Sequence, residues 1–253
     1  MTITFLGTGT SQGVPVIACS CDVCRSLDFR DKRLRSSIHI QVDGLSLVVD
    51  TGPDFRQQML RERINWLDAV LFTHEHKDHT AGMDDVRSFN FKQKMDMPIY
   101  GRKSVLEQLQ REFAYVFAEK KYPGVPRVVT QEIDNSEFKV GETPVLPIEV
   151  MHYKLPVFGF RIGDFTYITD ANSISEEEKK KVIGSKVVVL NALQKDYHIS
   201  HFTLEEAVDL AEELGAERTY FTHISHRLGK HKEVAKELPE GIFLAQDGLK
   251  VEL

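Results

Sequence analysis

Short apolar runs separated by turn residues fill the first half of the chain. Four of them combine β-branched, leucine and aromatic side chains in lengths typical of strands: residues 2–6, 37–42, 45–49 and 69–72. Asp43-Gly44, between the second and third runs, is a strong signal for a two-residue hairpin turn. Two helices are predicted here, one opened by Pro53 and reaching about Arg63, and one over 104–118 with apolar residues at helical spacing.

The second half repeats this plan of strands and helices. Its predicted strands are 138–150, 158–162, 166–169, 187–190 and 218–222, with a final pair within 242–251. Because buried strands, hairpins and helices recur twice without a linker, the pattern predicts one domain over 1–253. In that domain two sheets pack face to face, with helices on the outside.

Two helices of the second half carry explicit start signals. The first runs to residue 183 and begins with Ser175 as its cap, followed three residues later by Glu178, which is the pattern of a capping box. The second begins with Thr203 as its cap and Glu206 in the box position, and it ends at a glycine at position 215.

Residues 74–79 are the most informative segment of the chain. They place three imidazoles and a carboxylate within six positions: His74, His76, Asp78 and His79. The segment follows the apolar run 69–72, so it lies in a loop held by a buried strand, where catalytic groups are often placed. Imidazole and carboxylate suit zinc, manganese or iron. A single ion would leave His152, Asp170 and His223 unused, so the spacing suggests two ions side by side.

Net charge and hydropathy exclude some classes of function. The net charge is −6, and an acidic surface argues mildly against a long nucleic-acid substrate, which usually needs a basic stripe. The basic stretch 25–35 is the local exception, and a solvated loop explains it equally well. No segment approaches the eighteen apolar residues that a membrane span needs, and the first residues run into a strand pattern without a secretion signal. We therefore expect a cytoplasmic protein without a membrane partner.

The three cysteines lie close together, at Cys19, Cys21 and Cys24. An odd number at this spacing makes a poor disulfide framework, and metal binding in a reducing compartment is the better interpretation. Structural zinc takes four ligands, so a histidine or a water must complete the site. His226 is our candidate, with His231 and the strand residue His39 as rivals. The alternative is three free thiols in a surface loop.

The pattern His-x-His-x-Asp-His at 74–79 is the hallmark of the metallo-β-lactamase superfamily, which this chain resembles over nearly its whole length. The remaining ligands of that family follow in order at predicted strand ends, at His152, Asp170 and His223. The resemblance implies an α/β fold, specifically the αββα four-layer sandwich, in which two mixed sheets lie face to face with helices outside.

The resemblance also implies a ligand set. The first ion would be held by His74, His76 and His152, the second by Asp78, His79 and His223, and Asp170 would bridge them. The catalytic pair would be two Zn²⁺ or Mn²⁺ ions. Asp50 matches the Asp of the family's Asp-Thr-Gly segment and is expected to orient a ligand histidine or its loop. The alternative for Asp50 is a turn former at a strand end. Tyr153, beside His152, indicates no chemistry.

A Cys₃His site and the opening segment 7–15 resemble one branch of the superfamily. This branch comprises the cyclic phosphate phosphodiesterases of the carbon–phosphorus lyase pathway, which carry an extra zinc outside the catalytic pair. The resemblance implies one structural Zn²⁺ on Cys19, Cys21, Cys24 and His226, which would pin the loop around 13–35. The glycine-rich segment 7–13 would either present backbone N–H groups to a phosphate or form a tight turn.

His201 precedes the helix cap Thr203. In this branch, and in the related tRNA 3′-end processing endonucleases, a histidine in the corresponding position contacts phosphate and can protonate the leaving alkoxide. An imidazole suits that task. We assign His201 this catalytic role, beside the catalytic bridging ligand Asp170, with His198 as the substitute. The alternative is a histidine that lies near a helix start by coincidence.

The resulting prediction is a dinuclear metal-dependent hydrolase of a small phosphodiester, such as a cyclic sugar phosphate, attacked by a metal-bridged hydroxide. The alternatives are an RNA 3′-end processing endonuclease, whose long basic arm we do not find, and a non-catalytic metal-binding module of the same fold. By resemblance we also expect a homodimer.

Overall fold

Two mixed sheets form the centre of the molecule. The computed structural model describes residues 1–253. Its strands, numbered along the chain, are β1 (Thr2–Gly7), β2 (Ser37–Val42), β3 (Leu45–Val49), β4 (Ala69–Leu71), β5 (Met97–Gly101), β6 (Val128–Glu132), β7 (Phe138–Val140), β8 (Thr143–His152), β9 (Leu155–Ile162), β10 (Phe165–Tyr167), β11 (Ser173–Ile174), β12 (Val187–Asn191), β13 (Arg218–Thr222), β14 (Ile242–Leu244) and β15 (Lys250–Glu252).

Nine α-helices connect and cover the strands: α1 (Asp22–Arg25), α2 (Phe55–Arg61), α3 (Lys77–Thr80), α4 (Arg87–Gln93), α5 (Lys103–Glu112), α6 (Ala114–Phe117), α7 (Glu176–Val182), α8 (Leu204–Leu214) and α9 (His231–Val234). Short 3₁₀ turns occupy Phe29–Asp31 and Met83–Val86. None of the helices combines the length and the apolar character needed to cross a bilayer.

Each sheet changes from antiparallel to parallel pairing. The first has the order β15-β1-β2-β3-β4-β5-β6, and the second has the order β11-β8-β9-β10-β12-β13-β14, with β7 paired to β8. In the first sheet, β3, β4, β5 and β6 lie side by side in that order and are parallel. In the second sheet, β10, β12, β13 and β14 do the same. The carboxyl ends of neighbouring parallel strands therefore share one edge of each sheet, where side chains that follow the strands can meet.

Three apolar layers hold the four-layer arrangement together. The middle layer lies between the sheets and includes Phe5, Leu71, Phe160 and Tyr167, all fully buried. A second layer packs α7 and α8 against the second sheet, and a third packs α2, α4 and α5 against the first sheet. Burial on both sides explains why the parallel strands are uniformly apolar in sequence. The predicted αββα sandwich is confirmed.

Local signals were mostly correct. Asp43 and Gly44 have φ values of 51° and 79°, as the predicted two-residue hairpin between β2 and β3 requires. At α8 the predicted capping box is complete, since Thr203 and Glu206 each bond to the backbone N–H of the other.

At α7 only half of the predicted capping box forms. Ser175 accepts from the Glu178 N–H, but the Glu178 carboxylate does not return to the cap residue. It is instead held over the second sheet, where it accepts from the Glu149 N–H at 2.8 Å and from Asn135 at 2.8 Å. Packing of the helix on β8 therefore overrides the local pattern.

Several boundaries differ from the predictions. The helix predicted over 104–118 breaks at Phe113, whose φ of −112° and ψ of 41° separate α5 from α6. The strand predicted over 138–150 is divided by a turn at Gly141, with a φ of 58°, into β7 and β8. The final pair within 242–251 is not a hairpin, because β14 joins the second sheet and β15 pairs with β1 of the first.

Candidate metal centre

The structure brings all seven predicted metal-binding side chains together at the strand ends. His74 and His76 follow β4, and Asp78 and His79 lie on α3. His152 ends β8, Asp170 follows β10, and His223 follows β13. Their ligand atoms form two groups, each within 4.8 Å: His74 with His76 and His152, and Asp78 with His79, Asp170 and His223. This is the division that the sequence analysis predicts.

The first group consists of three imidazoles. Nε2 of His74 and Nδ1 of His76 are 3.0 Å apart, and the ring centroids of His76 and His152 are 5.1 Å apart. Nδ1 of His152 donates to the Ser200 carbonyl at 2.8 Å, which leaves Nε2 of His152 without a proton and able to bind a metal. Burial lowers the pKa values of His74 and His152, so both rings are neutral, as metal ligation requires.

The second group surrounds Asp170. Oδ1 of Asp170 lies 3.3 Å from Nε2 of His79 and 3.0 Å from Nδ1 of His223, and these two buried nitrogens have no hydrogen-bond partner. Buried polar atoms without a partner are rare in proteins, and a bound ion is one of the explanations for them. Although burial raises the pKa of Asp170, the rings of His223 and His79 lower it well below its usual range. The residues present therefore fit a cation at this position.

Asp170 also reaches the first group. Its Oδ2 lies 3.8 Å from Nε2 of His74, while its Oδ1 faces His79 and His223. One carboxylate thus presents one oxygen to each group, in the position that the predicted bridging role requires.

Asp50 lies beneath both groups, at the end of β3, and is fully buried. Its Oδ2 accepts from Nδ1 of His79 at 2.7 Å and from the Thr73 hydroxyl at 2.8 Å, and its Oδ1 accepts from the Thr73 N–H at 2.8 Å. Because the Thr73 hydroxyl donates to Asp50, it accepts from Nδ1 of His74 at 3.0 Å. Both histidines therefore hold a proton on Nδ1, which leaves Nε2 as the nitrogen that faces the centre and would bind a metal. The contacts are those of an orienting residue.

Strained backbone positions carry three of these residues. Asp50, Asp170 and His223 have φ values of 64°, 59° and 55°, in the left-handed region that non-glycine residues rarely adopt. Such conformations cluster at functional sites, where surrounding contacts hold them in place. At these strand ends the backbone turns sharply and directs the side chain into the space between the sheets' edges.

His201 lies over the junction of the two groups. Its ring centroid is 4.6 Å from that of His152 and 4.8 Å from that of His223, and its buried Nδ1 has no partner. Burial lowers the pKa of His201 to about 3. The ring is therefore neutral at physiological pH and offers one N–H as a donor. His198, the substitute, lies farther out, with its ring 5.2 Å from that of His201.

Thr10 is a contact that sequence reasoning missed. Its Oγ1 lies 3.2 Å from Nε2 of His223, and it accepts from that nitrogen if Nδ1 binds the metal. The nearby glycines serve close packing, since a Cβ on Gly7 would lie 1.9 Å from the Arg35 carbonyl oxygen and one on Gly9 would lie 2.9 Å from that of Arg33. Both glycines lie in extended, paired backbone, where a side chain would collide with the neighbouring segment, so close packing and not a turn explains them.

The three cysteines surround His226. Their Sγ atoms lie 3.3, 3.4 and 3.6 Å from its Nδ1, in the order Cys19, Cys21 and Cys24. With Zn–S of ~2.3 Å and Zn–N of ~2.0 Å, a tetrahedral zinc site has S···N edges of roughly 3.5 Å, which these separations match. The Cys24 N–H and the His226 ring lower the pKa of Cys21 to about 6, whereas burial raises that of Cys24 to about 11.

The two rival histidines lie elsewhere. Nε2 of His39 bonds to the Ser46 hydroxyl at 2.8 Å, and Nδ1 of His231 accepts from the guanidinium of Arg33 at 3.1 Å. Arg33 itself is buried, and it also donates to the Ala245 carbonyl at 2.7 Å. The basic stretch 25–35 is therefore only partly solvated, because Arg33 ties the cysteine-bearing loop to the end of β14.

Comparisons with known proteins agree with this geometry. The family model described as "Beta-lactamase superfamily domain" matches residues 46–224. A crystal structure described as a new diphosphatase from the PhnP family superposes with a TM-score of 0.93 at 40% identity, covering 100% of this chain and 97% of that one.

Two curated relatives share the same region. The octanoyltransferase of Porphyromonas gingivalis is 38% identical over 248 residues, which is 97% of this chain, and this chain spans about half (50%) of its length. Ribonuclease Z of Methanopyrus kandleri is 24% identical over 269 residues, which cover 87% of this chain and 91% of that protein. The predicted resemblance is confirmed: the chain belongs to the beta-lactamase superfamily and, within it, to the PhnP family, that of the cyclic phosphodiesterase of the carbon–phosphorus lyase pathway.

Proposed function

We propose that this chain is a dinuclear metal-dependent phosphodiesterase that acts on a small substrate. The observation that carries the proposal is Asp170, which presents one oxygen to each of two buried groups of imidazoles. Two Zn²⁺ or Mn²⁺ ions held by these groups would supply an ionised water near neutral pH and would clamp phosphoryl oxygens during in-line attack. A third ion, Zn²⁺, is proposed for Cys19, Cys21, Cys24 and His226.

His201 is the proposed proton donor to the leaving oxygen. It lies beside both groups, it is 7% exposed, and its Nδ1 is free of protein partners. Burial keeps the ring neutral in the free protein, but the negative charge of a bound phosphodiester would favour the imidazolium form, which can hydrogen-bond to the departing oxygen and transfer its proton to it. Asp50 keeps His74 and His79 in the tautomer that binds metal, so its role is to orient these ligands.

A phosphoanhydride is a second candidate substrate, since the 40%-identical neighbour is described as a diphosphatase. The two reactions differ in the leaving group, which is an alcohol in a phosphodiester and a phosphate in a diphosphate. RNA 3′-end processing is a weaker candidate, because a net charge of −6 disfavours a long polyanion. A non-catalytic metal-binding module would keep the ligands and lack turnover. The cytoplasmic location and the homodimer stay predictions.

Metal quantification and turnover on the same preparation test the proposal. We expect about three metal ions per chain and hydrolysis of bis-p-nitrophenyl phosphate, with a panel of cyclic, linear and diphosphate substrates to assign the class. Asp170→Ala should reduce turnover by more than the roughly 100-fold loss typical of residues that only orient ligands. Asp209→Ala removes an exposed carboxylate on α8 and should leave turnover unchanged. Full turnover in Asp170→Ala, or bound metal without turnover of any substrate, would contradict the proposal.

A further inference from the structure

We propose that Tyr153 is a specificity-determining residue, which receives a flat ring carried by the leaving group of the substrate. This inference rests on the proposed phosphodiesterase function and names the class of substrate: phosphodiesters of ring-bearing alcohols, in which the ring is an aryl group or a nucleobase. The evidence is an open groove beside the first metal group, the strained backbone of Tyr153, and the exposure of apolar side chains around it.

The groove has a volume of about 500 Å³ and is continuous with the metal centre. We call it the hairpin groove, and its main lining residues are His76, His152, Tyr153, Lys154, Leu155 and Ile199. The turn between β8 and β9 supplies one part of the lining, and the loop before α8 supplies Ile199. The bond from His152 to the Ser200 carbonyl ties these two segments together at 2.8 Å.

Two large side chains of this groove, one aromatic and one aliphatic, are open to solvent. Tyr153 is 49% exposed and Ile199 is 52% exposed, and Tyr153 directly follows the buried His152 of the centre. The ammonium of Lys154 lies 5.3 Å from the centroid of the Tyr153 ring, within cation–π range. An aromatic ring with a neighbouring cation, open to solvent beside a phosphoryl site, is suited to stack a flat group attached to that phosphate.

The backbone conformation of Tyr153 does not favour a large side chain. Its φ is 56°, which is unfavourable for a bulky residue and is normally left to glycine or asparagine in a two-residue hairpin. The Asn172 side chain holds this conformation by accepting from the Tyr153 N–H at 2.6 Å. Glycine at this position would relieve the backbone strain, so the turn itself gives no reason for an aromatic side chain here, and its exposure beside the centre supports a role in binding.

The groove determines which ester bond breaks. Water adds its oxygen to phosphorus, the bond between phosphorus and the ring-bearing alcohol breaks, and the proton passes to the departing oxygen. A ring stacked on Tyr153 places that oxygen on the side of the centre formed by His76 and His152, where His201 is also in contact with His152. Alcohols without a ring lack this anchor.

The test measures binding by calorimetry to the zinc-loaded protein, so that it does not depend on turnover. The probes are adenosine 5′-monophosphate, phenyl phosphate and ribose 5-phosphate, and the variants are Tyr153→Ala, Tyr153→Phe and Tyr153→Gly. Tyr197→Ala is the control, since Tyr197 is 77% exposed and lies outside the groove. We expect the ring-bearing probes to bind about tenfold more tightly than ribose 5-phosphate, as one stacked ring allows.

Tyr153→Ala and Tyr153→Gly should remove this tenfold preference and leave ribose 5-phosphate binding unchanged, whereas Tyr153→Phe and Tyr197→Ala should keep it. Tighter binding of adenosine 5′-monophosphate than of phenyl phosphate identifies a nucleobase, and the reverse identifies an aryl group. Tyr153→Gly should melt at the same or a higher temperature. Equal losses for all three probes, no loss, or a clear drop in melting temperature for Tyr153→Gly would overturn the inference. Absence of turnover with the preference intact would overturn only the proposed reaction.

Discussion

Replacing Asp50 by Asn should empty the predicted catalytic pair and spare the cysteine cluster. Oδ2 of Asp50 accepts from both the Thr73 hydroxyl and Nδ1 of His79. If the amide nitrogen of the new side chain took the place of Oδ2, it could accept neither from the Thr73 hydroxyl nor from Nδ1 of His79. If it took the place of Oδ1 instead, its N–H groups would face the Thr73 N–H, which is also a donor. The amide would instead donate to Nδ1 of His79, and the freed Thr73 hydroxyl would turn to donate to Nδ1 of His74. Both histidines would then carry a proton on Nε2, the atom that faces the metal.

The magnitude follows from that change of tautomer. Losing the partner that orients a ligand typically weakens metal binding about 10- to 100-fold, or roughly 1.4–2.7 kcal/mol per site. Here one substitution affects a ligand in each group, whereas the cysteine cluster has no contact with Asp50. Metal analysis after dialysis against a chelator of moderate affinity should show a fall from about three ions per chain to about one.

Asp247→Asn is the matched control for Asp50→Asn. Asp247 is also a buried carboxylate that accepts from a hydroxyl and a backbone N–H, those of Thr8 and Leu34. Its replacement should reduce stability and leave the metal content unchanged. If Asp50→Asn retained three ions with unaltered affinity, the assignment of His74 and His79 as Nε2 ligands would be wrong.

Three further predictions concern the cysteine cluster, the packing beneath the centre and the pH dependence of stability. Cys24→Ala should lose about one zinc per chain and lower the melting temperature, measured by metal analysis and calorimetry; an unchanged zinc content would exclude a cysteine site. Gly52→Ala should lower the free energy of unfolding by about 1–3 kcal/mol, because its Cβ would lie 2.2 Å from the Asp78 carbonyl oxygen, whereas Gly101→Ala meets nothing nearer than 3.4 Å and should cost less. Burial lowers the pKa of His39 from 6.5 to about 4 in the folded protein. As the pH falls below 6.5, His39 therefore takes up a proton in the unfolded chain but not in the folded protein, and the free energy of unfolding decreases. Urea unfolding should show a loss of about 1 kcal/mol from this residue between pH 7 and 5.5, and His39→Gln should remove that part; an equal pH dependence in both proteins would exclude His39 as the cause.

The grouping of the candidate metal ligands was predictable because these residues follow strands. Histidine and aspartate are seldom needed for packing at the end of an apolar strand, so their presence there indicates chemistry. His152, Asp170 and His223 each stand at the end of a strand, as His74 does. The Asp43-Gly44 hairpin and the cap at Thr203 were predictable for a similar reason, since each depends on residues adjacent in sequence.

What could not be predicted depends on distant contacts. Nothing near Glu178 in sequence indicates that its carboxylate bonds to Glu149 rather than to its own helix. The separation of β14 and β15 into different sheets is decided by the pairing of β15 with β1. Thr10 and Tyr153 carry no motif, because their roles arise from a packed neighbour in one case and from a backbone dihedral angle in the other.

The pairing of β1 with β15 has a consequence for the order in which the chain folds. Thr2 lies opposite Glu252, the backbone N-terminus donates to the Leu253 carbonyl at 2.8 Å, and Thr10 meets His223 across 213 residues. Until residues 250–252 pair with β1, one side of that strand offers unpaired N–H and carbonyl groups, and Thr10 has no partner until His223 is in place. Because contacts between residues so far apart in sequence form slowly, the edge of β1 and the surroundings of His223 are expected to form late in folding, after the local hairpins and helices.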